Sequence, residues 1–400
     1  MPDFSQNAKP DYYDLHFACG RTDFTKVPDM PWPSKKQDDA VIKDRFSGCI
    51  IGGAVGDALG APVEFMSRNE ILNKFGAMGI TSYAPAYGSI GTITDDTQMT
   101  MFTAEGLLRS WVRGNCRGLN IPSGLPMALE FAYQRWLATQ DLGSLIENNG
   151  WLITHKKLFS RRAPGNTCLS ALKKDSSKIP APNDSKGCGG VMRVAPVGLF
   201  TWSLRDKISV TETFHLGAAA AAITHGHPSG YLAGGVLAVI IMALADGVSL
   251  QEALETAKNI LQTQWQYEET MKAIEQAEKL AITDTEPFDA IAKLGQGWVA
   301  EEALAISVYC ALKADTFTDA VIMAVNHDGD SDSTGAITGN IVGAMQGLKA
   351  IPEAFLEPLE LKDVLLELAS DLYAVPQWAK EIHSTNEWFS HPIRDKYPSG

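Results

Sequence analysis

The chain has 400 residues, enough to bury a large core, and 45% apolar against 20% charged side chains mark it as globular rather than disordered. Its 34 basic and 47 acidic side chains leave a net charge of −13. That balance excludes a general nucleic-acid binder or a binder of anionic membranes, because both need a positive footprint.

Residues 1–43 read as an extension. Pro2, Pro10, Pro28, Pro31 and Pro33 break any helix, yet Tyr12, Tyr13, Phe17, Phe24 and Trp32 are aromatics that a disordered tail seldom carries. Two expectations follow: an arm packed on its own domain, or an arm inserted into a partner. The opening MPDFSQNAKPDYYD lacks the basic start and apolar stretch of a secretory leader. Cys19, Cys49, Cys116, Cys168, Cys188 and Cys310 form no CxxC pair, so neither a disulfide framework nor a zinc knuckle is expected. Both observations point to a reducing, cytoplasmic setting.

From Asp44 to the end the pattern predicts one all-α domain, residues 44–400, with no internal linker. Gly48, Gly52, Gly56 and Gly60 recur every fourth residue along the first helix. Pro62 should end that helix near Ala61 and leave Glu64 on a loop at its exit. Thr94, Asp95 and Asp96 precede a helix-like run through Met99, Phe102 and Leu107. Leu129, Ala132, Tyr133, Trp136 and Leu137 form one helical stripe, and Leu361, Val364, Leu365, Leu368 and Leu372 form another. Tyr231 to Ala245 is apolar but shorter than the roughly 20 residues of a membrane span, so a buried core helix is expected. Leu250 to Ile282 is rich in helix formers. A second stripe, Gly335, Gly339, Gly343 and Gly347, follows Asp328, Asp330, Asp332 and Ser333. Each glycine costs about 1 kcal/mol against alanine in a helix interior. Four on one face imply that another backbone approaches closely there.

The chemistry concentrates before two predicted helices, at Thr94-Asp95-Asp96 and at Asp330-Ser331-Asp332-Ser333. One acid suffices to cap a helix. Adjacent carboxylates at about 4 Å repel by about 4 kcal/mol at an effective dielectric near 20, and a hard divalent cation would relieve that cost. Oxygen donors without clustered Cys or His favour Mg²⁺ or Mn²⁺ over zinc. Asp328, Asp330 and Asp332 imitate an EF-hand start, but Ser333 stands at the sixth position and Gly339 at the twelfth, so an EF-hand is not expected. His225 and His227 form an HxH without an evident third ligand. The runs Gly165-Asn166-Thr167 and Gly187-Cys188-Gly189-Gly190 are glycine loops whose N–H groups suit an anion such as a diphosphate.

In order along the chain, GDALGAPVEF, GTITDDTQMT, GNT, GCGGVMRVAP, ITHGHP and DGDSDSTGAITGNIVGA resemble the ADP-ribosylglycohydrolases. These include the dinitrogenase-reductase-activating glycohydrolases and the ADP-ribosyl-acceptor hydrolases. The resemblance implies a compact orthogonal helical bundle around a binuclear Mg²⁺ centre. It implies Thr94, Asp95, Asp96, Asp330, Asp332 and Ser333 as metal ligands, and Glu64 or Asp96 as the catalytic carboxylate. It implies that Gly187, Cys188, Gly189 and Gly190 hold the diphosphate, and that Asn166, Met192 and His225 line the ADP-ribose pocket. The implied substrate is an ADP-ribosylated protein, with arginine the favoured acceptor and serine the other. Two further expectations concern partners: protection against an ADP-ribosyltransferase toxin contacted by residues 1–43, or a non-catalytic module that binds ADP-ribose or such a transferase. A third class, a Mg²⁺ hydrolase acting on a phosphate or a free nucleotide sugar, would release phosphate rather than ADP-ribose.

Overall fold

The computed structural model describes residues 37–117, 121–140, 150–174, 179–385 and 391–398. Helix α1 (Asp39–Gly60) begins where the Asp38 carboxylate accepts the Ala40 N–H at 2.9 Å. It therefore starts inside the stretch assigned to the arm. Residues 1–36, with the partner contact expected of them, lie outside the described residues. Ala61 caps α1 just ahead of Pro62, as expected from the ring's missing N–H.

A capping box between Ser67 and Glu70 starts α2 (Arg68–Phe75). Helices α3 (Asp95–Arg117), α4 (Ile121–Gln140) and α5 (Asn166–Lys173) follow. A 3₁₀ turn at Cys188–Arg193 leads into α6 (Ala195–Ser203), α7 (Val210–Ala222) and α8 (Pro228–Ala245). The segment 250–282 divides into α9 (Leu250–Leu261) and α10 (Glu268–Ala281). Then come α11 (Pro287–Leu294), α12 (Ala300–Lys313), α13 (Phe317–Val325) and α14 (Ser331–Gln346). The short α15 (Glu353–Leu356), the long α16 (Lys362–Thr385) and α17 (Ile393–Lys396) complete the order. No strand occurs among the described residues, only two isolated bridges. The all-α expectation holds.

Helix α8 is apolar and long enough to cross a membrane by length and composition, yet every residue of it is buried inside the protein. Helices α6, α7, α9 and α12 pack around it, so it is the core helix that its short apolar run predicted. The α4 stripe packs on α3, and Trp136 Nε1 donates to Gln98 Oε1 at 3.2 Å. The α16 stripe buries Leu365, Leu368 and Leu372, and that helix packs on α1 and α6.

The most extensive helix pair is α1 with α14. They run antiparallel, Gly48 facing Gly343, Gly52 facing Gly339 and Gly56 facing Gly335. A methyl group on any of these would fall on the opposing carbonyl oxygen. Gly60 meets the Ser331 carbonyl, so the fourth contact of the second stripe is a serine; Gly347 instead ends α14 at φ 80°. Asn340 Nδ2 donates to Cys49 O at 2.8 Å and pins the register. This pairing sets the exit of α1 beside the N-terminus of α14.

Candidate active site

Three helix ends converge there. At the last turn of α1 the buried Asp57 carboxylate accepts the Thr94 N–H at 3.0 Å and the Thr94 hydroxyl at 2.8 Å. It also accepts the Thr97 N–H at 3.1 Å and the Thr97 hydroxyl. Asp57 thus caps α3 from another helix, and sequence reasoning assigned it no role. A signal was present: an acid inside the Gly/Ala-rich α1, where only a paired carboxylate is tolerated. At α14, Asp330 Oδ1 accepts the Ser333 N–H at 3.3 Å, and Asp332 Oδ1 accepts the same N–H at 3.0 Å.

Glu64, Asp330 and Asp332 bring one carboxylate oxygen each within 4.8 Å of one another. Asp95 and Asp96 line the same cleft. None of the five is more than 6% exposed. Burial drives all five toward the protonated form, and for Glu64, Asp95, Asp96 and Asp330 the Asp332 charge adds to it; Glu64 is pushed up to about 11, and the neighbouring Asp57 to about 7. Glu64 Oε2 and Asp96 Oδ2 are buried without a hydrogen-bond partner. Orphaned carboxylate oxygens beside four other acids fit a hard divalent cation, whose charge replaces the missing donors. Asp328, by contrast, turns away and accepts the Arg68 N–H at 2.7 Å, consistent with the absent EF-hand.

The cleft encloses about 710 Å³. Beyond the carboxylates, its walls include Asn166, Gly187, Cys188, Gly189, Met192, His225 and Ser333. Thr94 and Gly190 stand just behind the lining residues: the Thr94 hydroxyl gives its proton to Asp57, which leaves its oxygen a lone pair for a cation, and Gly190 packs against Gly230 O and Ala221. The Gly187–Gly190 loop is tied down at its first two N–H groups. Gly187 N–H donates to Ser185 Oγ at 3.3 Å and Cys188 N–H to Trp298 O at 3.2 Å. The chain then opens the 3₁₀ turn Cys188–Arg193, and Gly187, Cys188 and Gly189 line the cleft at its start.

His225 is buried, with Nδ1 2.8 Å from Thr224 Oγ1. Burial, and then the Arg193 charge, hold its pKa down at about 3, so the ring is neutral at physiological pH. His227 does a different job: its Nδ1 accepts the Ser229 N–H at 3.2 Å and caps α8. Three cleft residues had no sequence signal of their own. Arg161 adds a cation to an acidic wall. Phe65, next to Glu64, stacks on Trp298 with ring centroids 5.9 Å apart and planes 18° from parallel. Phe65 is 73% exposed and Trp298 39%, so the pair presents an open aromatic surface at the cleft.

Fold and site together define a helical hydrolase with an acidic, metal-fitting centre. The chain belongs to the ADP-ribosylglycohydrolase family, whose family model matches residues 38–381. Members of this family remove ADP-ribose from modified proteins. The chain is 26% identical to the ADP-ribosyl-dinitrogen reductase glycohydrolase of Rhodospirillum rubrum over 342 residues, covering 82% of this chain and 97% of that one. It is 25% identical to the ADP-ribosylarginine hydrolase Tri1 of Serratia proteamaculans, covering 82% and 79%. Among solved structures, an ADP-ribosylglycohydrolase-related protein complex superposes with a TM-score of 0.60 at 25% identity, covering 84% of this chain and 99% of that chain.

Proposed function

We propose that the chain is a cytoplasmic ADP-ribosyl-arginine hydrolase, cleaving the N-glycosidic bond between ADP-ribose and a protein guanidinium. The observation that carries it is the buried carboxylate set, with Glu64 Oε2 and Asp96 Oδ2 unpartnered at the cleft wall. Asp95, Asp96, Asp330 and Asp332, with Thr94 and Ser333 as hydroxyl donors, would hold two Mg²⁺ ions, or Mn²⁺ in their place. When bound, such ions supply Lewis acidity toward ribose hydroxyls and water.

The chain's own residues do the rest. Glu64 is anchored at the end of a rigid helix and takes the proton of the attacking water, with Asp96 as the neighbouring carboxylate able to share it. Its burial raises its proton affinity, which suits a base once opposing charge lies alongside. His225 stays neutral beside Gly187 and Gly189 and adds no charge of its own. A side chain at Gly189 would meet Cys168 Sγ at 2.8 Å, so glycine keeps the wall thin there. The oxygen of water bonds to the anomeric carbon, the bond to the guanidinium nitrogen breaks, and that nitrogen takes a proton. Two things support arginine over serine: the similarity to the ADP-ribosylarginine hydrolase Tri1, and the exposed Phe65–Trp298 stack beside five acids, which matches a planar cation.

The test is ADP-ribose release from arginine- and serine-modified proteins, with Mg²⁺ and with EDTA. We expect metal-dependent release from the arginine substrate, and for Phe65→Ala a KM raised about tenfold on that substrate, the worth of one cation–π contact at about 1.4 kcal/mol. Binding of ADP-ribose with no release from either substrate would favour the non-catalytic module. Protection against an ADP-ribosyltransferase toxin belongs to the same proposal, supported by the Pro- and aromatic-rich composition of residues 1–43. Deleting residues 1–36 should abolish toxin binding and spare hydrolysis; undiminished binding would count against the arm.

A further inference from the structure

We propose that the acidic centre is a mixed oxygen–sulfur site in which Cys188 is a ligand, so that it also takes thiophilic divalent cations such as Zn²⁺ and Cd²⁺; this rests on the reading of the cluster as a metal centre. Cys188 Sγ lies 2.6 Å from Asp330 Oδ2 and 3.6 Å from Ser333 Oγ. Met192 Sδ stands 3.9 Å from the same Ser333 hydroxyl. Two sulfurs therefore border the oxygen donors on one side of the cleft. On the other side, Glu64 Oε2 and Asp96 Oδ2 have no partner, in side chains 6% and 3% exposed.

Cys188 cannot swing far from this position. Its N–H donates to Trp298 O at 3.2 Å, it opens the 3₁₀ turn Cys188–Arg193, and Gly187 bridges to Val299. Zinc bonds thiolate at about 2.3 Å and carboxylate at about 2.0–2.2 Å, which puts two donors of one ion roughly 3–4 Å apart. A shift of about 1 Å would bring Cys188 Sγ and Asp330 Oδ2 onto one ion. The thiol proton leaves to solvent as the sulfur–metal bond forms. A purely oxygen-lined centre ranks metals by charge and size; a thiolate in the set favours the soft, late divalent ions. Zn²⁺ and Cd²⁺ should thus compete with Mg²⁺ and Mn²⁺ at one place.

Cd²⁺ titration of the full-length, metal-stripped protein tests this by ultraviolet absorbance, with Mn²⁺ binding followed in parallel by electron paramagnetic resonance. We expect a saturable thiolate-to-Cd²⁺ band in the wild type that declines as Mn²⁺ is added. In Cys188→Ser the band should vanish and Cd²⁺ affinity fall at least about tenfold, while Mn²⁺ still binds. Absence of the band in a wild type that binds Mn²⁺ would overturn the assignment of Cys188 alone. So would persistence of the band in Cys188→Ser, or a band indifferent to Mn²⁺. A wild type that binds neither ion would overturn the metal-centre reading itself, and the role of Cys188 with it.

Discussion

Asp332→Asn should lower turnover by at least about 10³-fold, roughly 4 kcal/mol of transition-state stabilisation, while making the metal-free protein more stable. The two effects have one cause. After burial, which comes first for each of them, Asp332 is the next cause that raises the proton affinity of Asp57, Glu64, Asp95, Asp96 and Asp330, so it is the shared source of repulsion at the centre. Asparagine preserves the acceptor for the Ser333 N–H, 3.0 Å away in the native chain, and removes the charge. Cation binding loses an anionic ligand at the point where the acids meet.

The pH dependence has a definite sign. Asp57 at about 7 and Glu64 at about 11 sit above ordinary carboxylates, near 3.9 and 4.3. The folded metal-free state therefore holds more protons than the unfolded state between those values. Its stability is fullest at about pH 4 and below with respect to these groups, and is lost as pH rises, through about 7 for Asp57 and on through about 11 for Glu64. Bound Mg²⁺ should offset that loss, so the melting temperature gained on adding Mg²⁺ should grow between about pH 5 and about pH 8. Thermal denaturation of wild type and Asp332→Asn, with and without Mg²⁺, reads all of this. A variant that kept both its turnover and its Mg²⁺-dependent gain would sink the ligand assignment.

Gly56→Ala should destabilise the fold by about 3 kcal/mol or more, at the upper end of overpacking costs, and take the site with it. The added methyl would land on the Gly335 peptide. Backbone cannot rotate aside as a side chain can, so α1 and α14 must separate. That separation pulls Asp57 and Glu64 away from Asp330 and Asp332. The same exchange at Gly124, inside α4, should do the opposite. Its nearest neighbour for a new methyl is Ser110 Oγ at 4.0 Å. There alanine brings only its lower backbone entropy, a gain of about 0.5–1 kcal/mol. Urea unfolding of the two variants compares them directly; equal stabilities would refute the close-approach account of the stripe.

Much of this was legible in the chain alone. Helical periods, the Pro62 stop, the two glycine stripes and the paired acids are local patterns, and local physics explains each of them. Capping, backbone entropy and like-charge repulsion act between neighbours a few residues apart. The resemblance over six ordered segments named the residues that the cleft then brings together, with Thr94 and Gly190 standing behind its wall.

Other features belong to the tertiary structure. Asp57 holds Thr94 and Thr97 from 37 and 40 positions away. Cys188 meets Asp330 across 142 positions. Phe65 finds Trp298, and Asp328 leaves its acidic neighbours for Arg68, 260 positions off. Within the glycine loop, the Cys188 N–H finds the Trp298 carbonyl. None of these pairs has a local energetic signature, because the sign and size of a contact between distant residues depend on separation and burial. Those quantities came into being here only when α1 and α14 closed on each other and set three helix ends around one cleft.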